Sequence, residues 1–193
     1  FLKENGGSAA SHSSKRAEDL VALFNACFAV SERTRLKGQA DEPIYLPADG
    51  KCDYHQVIFT HDYFSSALHE IAHWCLAGKE RRKKVDYGYW YLPDGRDAAQ
   101  QAKFESVEVK PQALEYAFSL ASDIPFRVSI DNLQGQQTCS KHFERAVTQQ
   151  LETFIQHGFN VRAEQFLKAL HAFYGTQLLT TKTQEQGKKE TLI

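Results

Sequence analysis

Two histidines four residues apart, His69 and His73, with a glutamate directly after the first, form the pattern H-E-x-x-H in the stretch Ala67-Leu68-His69-Glu70-Ile71-Ala72-His73-Trp74-Cys75-Leu76. On a helix such residues lie one above the other, so both imidazoles project from one face and can chelate a single metal ion. Phe64, Leu68, Ile71 and Cys75 form an apolar stripe, which predicts a packed helix over 62–77. Without a metal, the same pair would be surface histidines or hydrogen-bonded core histidines. Two imidazoles need a third ligand. A histidine six residues after His73, as in one large protease class, would supply it, but Lys79 stands there and cannot.

The segment Phe104-Glu105-Ser106-Val107-Glu108-Val109-Lys110-Pro111 offers two carboxylates. At about 100° per residue, Phe104, Val107, Pro111, Leu114 and Phe118 cluster within about 80° and define an expected buried face. Glu108 lies about 40° from Phe104 and Glu105 about 100° from it. A carboxylate so close to a core is costly unless a cation partners it. Glu108 is therefore the expected third ligand, with Glu105 as an alternative or as a charge on the solvated face. Glu115, two turns further on, reads as an ordinary polar residue near the buried edge.

Two imidazoles and one carboxylate leave positions open on the metal. With Zn(II), Glu70 would be the general base that activates a bound water, as in a metallopeptidase or ribonuclease. With Fe(II), the same three ligands make a facial triad with room for dioxygen and substrate. Spacing alone does not separate these outcomes, and by itself it favours the zinc hydrolase. A metal-stabilised binding module without catalysis is the third option.

The elements that must position these residues follow from periodicity. Leu20, Leu23, Phe24, Cys27 and Phe28 predict a helix over 16–29, and further helices are expected at 97–120 with a kink at Pro111, at 140–156 and at 161–174. Asn160 suits an N-cap, and Gly158 and Gly175 suit helix stops. Short β-like runs are expected at 43–46, 56–60, 85–91 and 126–130, with turn signals at Pro93-Asp94-Gly95 and Asp131-Asn132. Strands and helices mix without a βαβ rhythm. The expected class is α+β: a single domain with a small mixed sheet packed against several helices and the metal site on the H-E-x-x-H helix, zincin-like or like a metal-dependent ribonuclease.

At 193 residues the chain suits one domain, expected over 16–178, with tails at 1–15 and 179–193 that have little to bury. It contains no Met, so it is expected to belong to a longer sequence. A net charge of -1 argues against a protein that coats nucleic acid. No apolar run approaches the roughly 18 to 20 residues of a membrane span. Cys27, Cys52, Cys75 and Cys139 form no C-x-x-C pair, which fits reduced thiols and a cytoplasmic location.

Several longer blocks carry a resemblance. Asp41-Glu42-Pro43-Ile44-Tyr45-Leu46-Pro47-Ala48-Asp49, the block from His69 to Cys75, Val85-Asp86-Tyr87-Gly88-Tyr89-Trp90-Tyr91, Pro93-Asp94-Gly95-Arg96-Asp97 and Val107-Glu108-Val109-Lys110-Pro111-Gln112-Ala113-Leu114 closely resemble the bacterial elongation factor P hydroxylase family. The resemblance runs in order from about Leu20 to Tyr174. It implies an enzyme that hydroxylates the modified lysine of elongation factor P, its protein partner, after that lysine has received a β-lysyl group. It also implies a metal held at His69, His73 and Glu108, and a fold similar to a small metal-dependent ribonuclease class. Fe(II) is the expected ion, with zinc or another divalent ion able to occupy the site in a purified sample. Glu70 would then act in the second shell or in proton transfer. No nicotinamide, flavin or 2-oxoglutarate motif is evident, so the electron donor stays open.

Two further features bear on the substrate. The run Lys79-Glu80-Arg81-Arg82-Lys83-Lys84 carries five positive charges against one negative, and reads either as a solvated helix end that suits the helix dipole or as a docking patch for an acidic protein, with Arg81 and Arg82 touching the substrate. Outside the tails and this run the charge balance is acidic. A long cationic side chain would suit an acidic wall, for which Asp86, Asp94, Asp97 and Glu105 are candidates. Tyr87, Tyr89, Trp90 and Tyr91 read as strand packing, some of them lining the channel for that side chain.

Overall fold

The computed structural model describes residues 15–86, 95–130 and 140–179. Among these, the first helix, α1 (Ala17–Phe28), buries Leu20, Phe24 and Phe28 on one face, as their spacing requires. A three-stranded sheet follows, made of β1 (Thr34–Ala40), β2 (Ile44–Leu46) and β3 (His55–Thr60) in the order β1-β3-β2. β1 pairs with β3 in parallel and β2 pairs with β3 antiparallel, so the sheet is mixed. Leu36, Val57 and Phe59 point into the core, while Arg35 and Lys37 face solvent. β1 is absent from the sequence expectation. Its charged outer residues and Gly38 leave Leu36 as the only large apolar side chain in Thr34–Ala40, too little alternation to register as a strand.

α2 (Phe64–Leu76) lies between the sheet and α3 (Ala98–Ala121), and α5 (Val161–Tyr174) packs on α1 and α3. α4 (Ser140–His157) covers the other side of α3 through Phe143, Val147 and Leu151. Asn160 caps α5 by accepting from the Ala163 N–H at 3.1 Å, and Gly175 ends it with a left-handed φ of 69°. Aromatic rings join the layers: Phe24, Phe28 and Phe166 surround one another, and Trp74 of α2 meets Phe24 and Phe28 with centroids 5.0 and 4.8 Å apart.

Three expectations need correcting. Residues 126–130 form no strand: the Gln112 side chain bonds both backbone groups of Ser129 and Arg96 donates to the Ile130 carbonyl, so side chains of other segments take the hydrogen bonds a neighbouring strand would have made. Val107 is 45% exposed, because the inner face of α3 instead carries Gln101, Phe104, Glu108, Pro111 and Gln112. The basic run at 79–84 does not extend α2. It forms a separate turn with a short 3-10 segment at Arg81–Lys83, and the C-terminal carbonyls of α2 are satisfied from α5. In the run at 85–91, Val85 and Asp86 are described, and Asp86 exchanges backbone hydrogen bonds with Tyr45 beside β2. Tyr87, Tyr89, Trp90 and Tyr91, Asp94, the Asp131-Asn132 turn, Cys139 and nearly all of both expected tails lie outside the described residues.

The satisfying group at the end of α2 is the Arg162 guanidinium, which donates to the carbonyls of Trp74, Cys75 and Ala77 at 3.2, 2.9 and 2.6 Å. Hydrogen bonds from a charged donor are worth about 1.5 to 3 kcal/mol each where they are buried. Arg162→Ala should therefore lower Tm by roughly 5 to 10 °C. Lys168→Ala, which breaks only an exposed pair with Glu164, should move Tm by less than about 2 °C in the same calorimetric scan.

Candidate metal centre

The sequence H-E-x-x-H lies within α2, and both histidines face α3 across the α2/α3 contact. His69 Nε2 and His73 Nε2 stand 3.0 Å apart. From α3, Glu108 brings Oε1 to 3.3 Å from His73 Nε2 and Oε2 to 3.8 Å from His69 Nε2. All three ligand atoms lie within 4.8 Å of one another. Two nitrogens bound at about 2.1 Å to one ion sit roughly 3 to 3.4 Å apart, so the imidazole pair has the separation that chelation requires. Glu108 is 2% exposed, and burying a carboxylate that deeply is favourable only with cationic company.

His69 is oriented by a residue that the sequence reading set aside. Glu115, seven residues after Glu108 and on the same side of α3, accepts from His69 Nδ1 at 2.8 Å. It is a half-buried partner of His69 and not an ordinary polar residue. The i, i+7 spacing from Glu108 was a usable signal, since it keeps two carboxylates on one helix face. With Nδ1 donating to Glu115, the Nε2 lone pair of His69 points toward His73 and Glu108, the tautomer a metal ligand needs. Burial opposes a charged His69 ring, but Glu115, Glu70 and Glu108 outweigh it and push its pKa up to about 10. Any proton on His69 Nε2 would have to leave for a divalent cation to bind there. The donor set fits such an ion.

Glu70 and His73 both line a cleft shared with Tyr45, Trp74, Arg81, Arg82 and Asp86. Burial pushes the Glu70 carboxyl up, against the pull of His69 and His73. Ile44, Val57 and Ala77 complete the apolar part of the wall. Arg81 pairs with Asp86 through Nε, and Arg82 pairs with Glu32 at 2.8 Å while its carbonyl accepts from the Tyr45 hydroxyl. His73 joins two groups of the candidates: it clusters with His69 and Glu108, and it lines the cleft with Glu70, Arg81, Arg82 and Asp86. Tyr45, which belongs to β2, was missed because a lone strand tyrosine has no spacing that marks it.

Two candidates fall elsewhere. Glu105 takes a hydrogen bond from Gln101 at 3.1 Å and does not join the ligand cluster. Asp97 caps α3: its carboxylate accepts from the Gln100 N–H at 2.8 Å, and the Gln100 side chain accepts from the Asp97 N–H in return. That reciprocal box occupies the carboxylate that an acidic wall would have used.

Two comparisons bear on the chain. The family model described as elongation factor P hydroxylase matches residues 23–184. The elongation factor P lysine hydroxylase of Haemophilus influenzae is 49% identical over 162 residues, which cover 84% of this chain and 91% of that protein.

Asp97→Ala should destabilise the fold by about 0.5 to 2 kcal/mol in urea titration, the usual cost of losing an N-cap. An unchanged midpoint together with weakened substrate binding would return Asp97 to the acidic wall.

Proposed function

The chain belongs to the elongation factor P hydroxylase family, and from that premise we propose that it hydroxylates the β-lysylated lysine of elongation factor P as a metal-dependent oxidoreductase of the monooxygenase kind. The observation that carries this reading is the convergence of His69 and His73 from α2 with Glu108 from α3, with His73 also lining the cleft. When bound there, a divalent metal, Fe(II) in our reading, supplies the activation of dioxygen. With two ligands on one helix and the third on another, we read the architecture as zincin-like or metal-dependent ribonuclease-like. No helix among the described residues is long and apolar enough to cross a membrane, and we assign the activity to the cytoplasm, where a translation factor is met.

The chain's own residues do the rest. Glu115 fixes the His69 ring so that its Nε2 stays directed at Glu108 and His73. Ile44, Val57 and Trp74 present apolar surface to the methylene chain of the lysyl group and exclude water from it. Asp86 offers a carboxylate to an incoming ammonium, in exchange with Arg81, which holds it in the free protein. Glu70 sits beside His73 with a carboxyl raised toward its protonated form, placed to take or give a proton near the reacting carbon. Its position also suits a hydrolytic base. The two chemistries part on oxygen: conversion of C–H to C–OH consumes dioxygen with two electrons and two protons and releases water, whereas hydrolysis needs none of these.

After incubation of β-lysylated elongation factor P with the iron-loaded protein and a reductant, intact mass should rise by one oxygen atom. The gain should vanish without dioxygen and in His69→Ala. Glu115→Gln should keep the reaction but weaken iron affinity about 10- to 100-fold in a chelator competition. Equal turnover by a zinc-loaded sample under anaerobic conditions would reverse the reading in favour of a hydrolase.

A further inference from the structure

The basic run beside the cleft divides into two sets of residues. Arg81 and Arg82 are pinned: one is held by Asp86, the other by Glu32 and by the Tyr45 hydroxyl on its backbone carbonyl, and both line the cleft. Their charges are compensated inside the protein, so they shape the wall. Lys79, Lys83 and Lys84 differ. All three are exposed, Lys79 and Lys84 make no ion pair among the described residues, and Lys83 has only the exposed Glu80 as partner. Val85, next in sequence, is 52% exposed and offers apolar surface at the same rim. Three exposed ammonium groups on flexible stems thus flank, in sequence, Arg81, Arg82 and Asp86, which line the cleft together with Glu70.

With Arg81 and Arg82 compensated by Asp86 and Glu32, the charge this segment leaves for a partner is that of the three lysines. We propose that Lys79, Lys83 and Lys84 dock the protein substrate, and that this substrate presents acidic side chains around the cationic lysyl arm it inserts. The proposal rests on the hydroxylase reading for the identity of the arm. An isolated lysyl amine would be repelled by the three ammonium groups, whereas an amine carried on an acidic surface would be steered toward the cleft by them.

The test combines Lys79→Glu, Lys83→Glu and Lys84→Glu in the metal-loaded protein, against a control with Lys103→Glu, Lys141→Glu and Lys168→Glu, exposed residues elsewhere that change net charge equally. KM and Kd for β-lysylated elongation factor P should rise at least about tenfold at low salt in the rim variant only, and the wild-type values should climb with added salt while the variant's stay flat. Equal weakening in both variants, or none in either, overturns the proposal, as does a single-stranded RNA that competes the substrate off the wild type. If the wild type binds the factor without oxidising it, the hydroxylase reading fails while the Kd comparison still decides the docking surface.

Discussion

The contact between the imidazole face of α2 and the buried Glu108 carboxylate of α3 is the constraint on which the rest of the structure depends. A carboxylate at 2% exposure stands between two helices only because cationic or hydrogen-bonding nitrogen faces it. That requirement fixes the rotation of both helices. α2 must turn His69 and His73 toward α3, which leaves Leu68, Ile71 and Cys75 for the core. α3 must turn Glu108 and Glu115 toward α2, so its packed faces carry these carboxylates among apolar residues such as Phe104, Leu114 and Phe118.

Supporting contacts keep that pair of helices in register. Trp74, one residue after His73, is wedged against Phe24 and Phe28 of α1. Arg162 from α5 closes the C-terminal end of α2 and stacks over the Trp74 ring at 4.9 Å. The Asp97 cap fixes the start of α3, and Arg96, fully buried against Phe104, ties that start to Ile130. Each limits how far an imidazole or carboxylate can drift, and a chelate site tolerates little drift.

Much of this was legible in the sequence because helices repeat at a known angle. The H-E-x-x-H spacing put both imidazoles on one helix face, and the angle from Phe104 placed Glu108 nearer the interior than Glu105, where it meets them. What failed had one physical origin: hydropathy marks a buried face only when the buried residues are apolar. On α3 the inner face includes Gln101, Glu108 and Gln112, so Val107 was misplaced and Glu115 was passed over. The same blindness hid β1, whose outer side chains are charged, and made a strand of 126–130, whose backbone is bonded by the side chains of Gln112 and Arg96. Charge runs were legible as charge but not as partnership: only geometry separates the pinned Arg81 and Arg82 from the free-standing Lys79 and Lys84.

The central claim is that one metal ion sits between α2 and α3 on His69, His73 and Glu108. Anomalous diffraction from an anaerobically grown, iron-loaded crystal, recorded on both sides of the iron edge, tests it most directly. The account predicts one strong peak within coordinating distance of both Nε2 atoms and of Glu108. A peak on other residues, or none at full iron loading, would contradict it.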